Sequence, residues 1–311
     1  MLQQTRVAQG LPYYQKFLEA FPTVHDLAYA PEEQVLKLWQ GLGYYSRARN
    51  LHTTAKMVVS DFDGKFPNTY EGLKSLKGVG DYTASAIASF CFDIPEPVVD
   101  GNVYRVLARY FGVKLPINET QGAKYFKELA REVMDPKQIG DYNQGIMEFG
   151  AVQCAPKNPN CMFCPLSDSC VALQKNLVSN LPVKLNKTKI KNRYFNYLVF
   201  LDDSNQTLLE QRKGKGIWQN LYQFPLIESE GEWSEAQLEQ KMGETNGYPK
   251  MQSVTLYNME PIVHKLSHQH LYTKFWLVHP LTELDDGIPW QRITDYPVPV
   301  LIADFIRTFK I

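Results

Sequence analysis

The sequence has no long apolar run. No window approaches the roughly 18 consecutive apolar residues of a membrane span, and its opening Met-Leu-Gln-Gln-Thr-Arg is not the basic-then-apolar pattern of a secretion signal. It also lacks an excess of either charge: 33 Lys plus Arg balance 33 Asp plus Glu. Zero net charge gives no global support for a polyanionic partner, although a local basic patch is compatible with one. Repeats and low-complexity tracts are missing, and 44% apolar with 21% charged residues is ordinary globular usage, which excludes disordered, collagen-like and coiled-coil chains. The 311 residues suffice for about two domains. Cysteine is scarce, yet four of the five fall between 154 and 170.

Those four, Cys154, Cys161, Cys164 and Cys170, are spaced Cys-x6-Cys-x2-Cys-x5-Cys, with Cys91 alone. Without a secretion signal the cluster reads as a metal site in a reducing, intracellular setting. Four thiolates can wrap a cubane iron–sulfur cluster or one tetrahedral zinc. Structural zinc usually shows two close cysteine pairs and only one is present, which favours iron–sulfur and leaves zinc open. A closed four-thiolate site has no open position for a substrate.

Residues 1 to about 175 read as helical. Val7, Leu11, Tyr14 and Leu18 recur at helical spacing. Pro31-Glu32-Glu33 opens a second helix with Val35, Leu36 and Trp39 on its apolar face. A third begins near Ser46 and carries Leu51 and Val58, and further helices cover Ala84–Ser89 and Val103–Tyr110. From 181 to 193, Lys184, Lys187, Lys189, Lys191 and Arg193 occur with no acid among them, as in an exposed interdomain connector; the alternative is a phosphate-contacting strap. Beyond 194 the pattern is mixed. Tyr194–Leu201 and Leu271–Val278 are strand candidates, Thr207–Gln211 is a candidate hairpin return, and Ser234–Met242 reads as a helix.

Two short motifs carry chemistry. Leu76-Lys77-Gly78-Val79-Gly80 ahead of Asp81-Tyr82 makes a tight turn between helices, whose following amides can meet a phosphate oxygen; by itself it is equally a plain helix–helix turn. Twenty residues after Gly80 comes Val99-Asp100-Gly101-Asn102-Val103. Asp100 before a helix suits stabilisation of developing positive charge on a sugar, and taken alone reads as an N-cap.

In this order, hairpin, aspartate and cysteine loop resemble the endonuclease III superfamily of DNA glycosylases. Met1-Leu2-Gln3-Gln4-Thr5-Arg6-Val7, Gly41-Leu42-Gly43-Tyr44-Tyr45-Ser46-Arg47 and Val99–Val103 resemble its adenine-specific, MutY-type branch. The resemblance implies a multidomain fold. An all-α helix-hairpin-helix glycosylase domain covers 1–175, with the hairpin at 76–84 and an iron–sulfur loop at 154–170. A basic linker follows at 176–193, and an α+β Nudix-like domain for 8-oxoguanine recognition at 194–311. The implied activity is excision of adenine mispaired with 8-oxoguanine or guanine, which requires extruding the base from the duplex. Asp100 matches the charge-stabilising aspartate, and Tyr82 and Asn102 match residues that orient the catalytic groups. Gln3, Gln4, Thr5, Leu42 and Tyr44 match positions around the lesion, Gly78 and Gly80 the DNA-binding hairpin, and the four cysteines the ligands of a 4Fe-4S cluster. His264-Lys265-Leu266-Ser267-His268-Gln269-His270 resembles a Phe-Ser-His loop with Leu266 for the aromatic, so Ser267 and His268 are expected at the lesion; read as zinc ligands, these histidines lack a fourth partner.

Two departures matter. The family's general acid is a glutamate two residues ahead of the segment that here starts at Met1, so DNA binding is expected to outlast catalysis in these 311 residues. Ser234–Glu244 lacks the Arg-Glu-rich helix that holds magnesium in Nudix hydrolases, so nucleotide hydrolysis is not expected. The expected partner is double-stranded DNA with 8-oxoguanine:adenine mispairs, with no membrane, and the protein a monomer in the cytoplasm or nucleoid. Alternatives are a catalytically silent or truncated lesion-binding protein, and an endonuclease III-like pyrimidine glycosylase/lyase. The lyase needs a lysine where Tyr82 stands.

Overall fold

The computed structural model describes residues 1–185, 190–245 and 247–311. In chain order the helices are α1 (Val7–Ala20), α2 (Val24–Tyr29), α3 (Glu32–Leu38), α4 (Ser46–Asp61), α5 (Tyr70–Ser75), α6 (Asp81–Phe92), α7 (Gly101–Phe111), α8 (Thr120–Val133), α9 (Ile139–Val152) and α10 (Val171–Gln174). Strands follow: β1 (Lys191–Phe200), β2 (Gln206–Thr207), β3 (Glu210–Gln211), β4 (Tyr222–Gln223) and β5 (Leu226–Ser229). After α11 (Glu235–Glu244) come β6 (Met251–Leu256), β7 (Ile262–Lys265), β8 (Gln269–Pro280), β9 (Ile288–Pro289) and α12 (Val300–Thr308). Of the basic segment, Lys187 and Lys189 lie outside the described residues, and Lys191 and Arg193 belong to β1.

The contacts divide the chain into two units, Met57–Lys187 and Met1–Lys56 with Thr188–Ile311. In the first, α7 is the central element. Asp100 caps its start, and Gly112 ends it in the left-handed region (φ +69°) that glycine adopts without strain. Val103, Leu107 and Ala108 bury one face against Phe126, Leu129 and Ala130 of α8. On another side α9 comes very close: a Cβ on Gly150 would stand 2.7 Å from Asn102 Cβ and 2.8 Å from its carbonyl oxygen, so the approach needs a glycine.

In the second unit β1 and β8 pair in parallel over their length, from Lys191 with Gln269 to Phe200 with Val278. Antiparallel β5 flanks β1, while β6 and β7 pair with β8. One face of this mixed sheet (Phe195, Tyr197, Phe275) shares a core with Phe17, Trp39, Leu42 and Tyr45 and with Phe305 of α12. The other packs Leu198, Phe200 and Trp276 against Leu238 and Met242 of α11. Helix α11 starts with a reciprocal capping box between Ser234 and Gln237.

Two expectations need correction. Thr207–Gln211 does not return along β1. Gln206–Thr207 pairs with β9 and Glu210–Gln211 with β4, because β5 and β8 already occupy both edges of β1. In α1, Val7, Leu11, Tyr14 and Leu18 are exposed, and the buried side carries Gly10 and Phe17. Phe17 wins because its ring meets Phe21 and Trp39 edge-on, 5.5 and 5.7 Å between centroids.

Candidate functional site

Asp100 is in extended backbone, so its carboxylate turns back over the first turn of α7. Oδ1 accepts the backbone N–H groups of Asn102 and Val103, both at 2.8 Å, and Oδ2 accepts the Asn102 side-chain amide at 2.9 Å. All three donors complement an acceptor-only carboxylate. The Asn102 oxygen in turn accepts from Arg105 Nη2 at 2.8 Å, which fixes the amide with its nitrogen toward Asp100. Tyr82 sits nearby on α6, 41% exposed; partial burial and the Asp100 charge both push its hydroxyl pKa up.

The hairpin ahead of α6 turns at Gly78 (φ +77°), closed by the Val79 N–H donating to Leu76 O at 3.2 Å. Asp81, the first residue of α6, is held by the Tyr70 hydroxyl and by Lys127 Nζ at 3.2 Å. Burial would raise its pKa, but these partners hold it below the usual carboxylate range. Lys127 also donates to Ser85 Oγ (2.7 Å) and Pro97 O (2.8 Å), tying α8 to α6 and to the strand of chain leading into Asp100.

Two buried arginines run down α7 from the aspartate to the cysteines. Arg105 donates to Cys154 O at 2.7 Å and to Gly150 O. Arg109, 3% exposed, donates to Leu181 O (3.1 Å) and Ala155 O (2.8 Å), and its Nη1 lies 3.4 Å from Cys154 Sγ. Cys154, Cys161, Cys164 and Cys170 line one small cavity with Arg109, and none is in a disulfide. Burial, then the neighbouring thiols, push the Cys161 pKa up. Among the described residues no three His, Cys, Asp or Glu side chains converge as ligands of a single ion.

The other unit carries a cleft of about 630 Å³ lined by Gln4, Thr5, Leu42, Tyr44, Ser267 and His268, together with Arg49, Arg193 and Trp218. Ser267 and His268 occupy the tip of the β7–β8 hairpin, closed by Leu266 N–H donating to Gln269 O at 2.8 Å. Leu266 packs into the core and Ser267 is presented to solvent, where its Oγ lies 2.9 Å from the Tyr44 hydroxyl. His264 faces Trp218, 5.7 Å between centroids, and burial lowers its pKa. Gln3 is not in the cleft lining, and its carbonyl accepts from Arg47.

Residues 1–136 match the model of the HhH-GPD superfamily of base excision DNA repair proteins, and residues 196–308 match a NUDIX domain. An adenine DNA glycosylase of Buchnera aphidicola subsp. Baizongia pistaciae is 34% identical over 282 residues, 89% of this chain and 76% of that protein. The chain belongs to the adenine DNA glycosylase family. That family, within the base excision repair superfamily, comprises hydrolases of N-glycosidic bonds. The Mus musculus adenine DNA glycosylase is 46% identical over 176 residues, 56% of this chain and 34% of that one. Among solved structures, a thermostable thymine-DNA glycosylase superposes with a TM-score of 0.52 at 31% identity, covering 56% of this chain and 80% of that one. A non-covalent endonuclease III–DNA complex reaches a TM-score of 0.50 at 24% identity, covering 57% and 81%, and shows the shared helical fold.

Arg105, Arg109, Lys127 and Gly150 escaped the sequence reading. The two arginines carry one faint signal, their four-residue spacing on one face of the helix that Asp100 opens.

Proposed function

We propose that this member of the adenine DNA glycosylase family acts on double-stranded DNA, removing adenine paired with 8-oxoguanine, with Asp100 as the carboxylate that stabilises the sugar cation. The observation that carries the reading is the triple hydrogen bonding of Asp100 at the start of α7. Adenine takes a proton from solvent water, and as the C1′–N9 bond breaks its electron pair leaves with the protonated base while positive charge grows on the deoxyribose. A carboxylate fixed by three donors stabilises that charge without reorganising. Water then adds at C1′ and returns its proton to solvent. Asn102, oriented by Arg105, holds Asp100 in place, and Tyr82 orients the groups beside it. Gly78 and Gly80 leave the amides at the start of α6 open to a backbone phosphate. Gln3, Gln4, Thr5, Leu42 and Tyr44 fill and hold the opened base step, and Ser267 and His268 read the lesion base from the hairpin tip.

The four cysteines would hold a 4Fe-4S cluster. The donor chemistry fits although the thiols do not converge on one point: four of them border one cavity, with a buried guanidinium 3.4 Å from one sulfur to offset a thiolate-bound group of net negative charge. When bound, the cluster supplies a covalent cross-link of residues 154–170; the reaction passes through Asp100 and its neighbours. A monomer inside the cell completes the reading. No described helix is long and apolar enough to cross a membrane.

The test is a pair of assays on a duplex with one 8-oxoguanine:adenine pair. Binding and adenine release are both measured, on this chain and on Asp100→Asn. The proposal expects both proteins to prefer the mispaired duplex and adenine release to be lost in Asp100→Asn. Equal affinity for mispaired and matched duplexes would overturn it.

A further inference from the structure

The residues read as the wedge come from two segments, 1–5 and the turn 41–45, that are distant in sequence. Both hold a non-glycine residue in the left-handed region, Gln4 at φ +56° and Tyr44 at φ +48°. Such backbone persists only where its surroundings over-determine it. One side chain meets both. Arg47 Nη1 donates to Met1 O (2.6 Å), Gln3 O and Thr5 Oγ1 (2.9 Å), while Nη2 donates to Leu42 O (3.3 Å) and Gly43 O (3.1 Å). The guanidinium carbon lies 5.3 Å from the centre of the Trp39 ring and 5.6 Å from that of Tyr44. Trp39 is buried and its indole N–H donates to Gly43 O at 3.0 Å, so one side of the planar cation has a fixed backing.

We infer that Arg47 is a positioning residue that fixes Gln4 and Tyr44 as one rigid wedge before DNA arrives. The inference rests on the reading of those two residues as the wedge. All five acceptors are uncharged oxygens, and Arg47 Nε is buried with no hydrogen-bond partner among the described residues. The guanidinium therefore serves as a two-sided fork: one terminal nitrogen serves the first segment and the other the second. Lysine keeps the charge, but its single ammonium cannot present that planar fork. Losing the fork leaves each segment free to sample other backbone wells, and the ordering cost then falls on the binding step.

The experiment uses Arg47→Lys with two readouts. Without DNA, amide hydrogen exchange is followed in peptides covering 2–6 and 41–46. With DNA, affinities for an 8-oxoguanine:adenine duplex and for a matched duplex are compared, with 2-aminopurine beside the mispair reporting unstacking. Exchange should quicken in both segments together and stay unchanged in β1 and β8. Mispair affinity should fall about tenfold, matched-duplex affinity should stay within about threefold, and the 2-aminopurine signal should collapse. A residue of merely structural worth would lower both affinities alike. Wild-type exchange in either segment, or loosened segments with undiminished mispair preference, overturns the proposal. If Arg47→Lys does not fold, Thr5→Val removes one acceptor and keeps the arginine; it should loosen residues 2–6, and unchanged exchange there overturns the clamp. A wild-type protein with no mispair preference would sink the functional reading, and the exchange measurement would still decide the clamp.

Discussion

Replacing Gly150 with alanine tests how tightly α9 must press on the turn that holds Asp100. The added Cβ would lie 2.7 Å from Asn102 Cβ and 2.8 Å from its carbonyl oxygen. Carbon atoms pack at about 3.5–4.0 Å, so something must retreat by about 1 Å. The obstacle is the backbone of α7's first turn, which cannot rotate aside as a flexible side chain would. Overpacking of this kind costs about 1–3 kcal/mol, or a drop of roughly 3–10 °C in melting temperature for a domain of this size. Gly145→Ala is the internal control. It sits on the same helix with nothing within 4 Å of its would-be Cβ, so it should gain up to about 1 kcal/mol from helix propensity. The assay is thermal unfolding by circular dichroism of both variants beside the wild type. Gly150→Ala melting at or above the wild-type temperature, or both variants moving the same way, would refute the close-contact argument.

Cys164→Ser should abolish the visible absorbance and iron content of the purified protein and destabilise residues 57–187, while Cys91→Ser, exposed and outside the cavity, should keep both; metal analysis with absorbance decides. Glu228 is held below the usual carboxylate range, chiefly by its hydrogen bonds from Arg193 at 2.6 and 2.7 Å. A lowered folded-state pKa gives stability that is present above the unfolded value of 4.5 and lost as pH falls through the folded one. Denaturant titrations from pH 6 to 3 should therefore show a smaller acid loss in Glu228→Gln than in wild type, and equal losses would contradict the pairing. Affinity for matched duplex should fall steeply as salt rises from about 50 to 200 mM, because phosphate contacts release counterions; a flat response would argue against the hairpin amides as a phosphate site.

The local parts of this architecture were readable because their signals are local. Asp100 before an apolar-periodic stretch marked the start of α7, and Ser234 with Gln237 three residues on marked α11. The short helices α2 and α5 went unread despite threonine caps at Thr23 and Thr69, because six residues offer too few turns for a period to emerge. β1 and β8 were visible as aromatic and β-branched runs, but their parallel pairing joins residues 78 positions apart, as Lys191 with Gln269, and nothing within either run encodes that. The same holds for the site. The family motifs named Asp100, Asn102 and Tyr82, whereas the buried guanidiniums of Arg105 and Arg109 act on carbonyls some 45 residues away, and backbone acceptors leave no mark in a sequence. In α1 the apolar residues at helical spacing point outward, and the inward side instead carries Gly10 and Phe17, with Tyr13 and Ala20 packed against the core.

The role proposed for Asp100, stabilising a sugar cation, is read by the affinity for a duplex in which a cationic pyrrolidine ring replaces the deoxyribose opposite 8-oxoguanine, compared with a neutral tetrahydrofuran duplex. Wild-type protein should strongly prefer the cation. Asp100→Asn, which keeps an oxygen to cap α7, should lose about 10²–10³-fold on the cationic duplex and little on the neutral one. Equal losses on both, or none on either, would contradict the assignment.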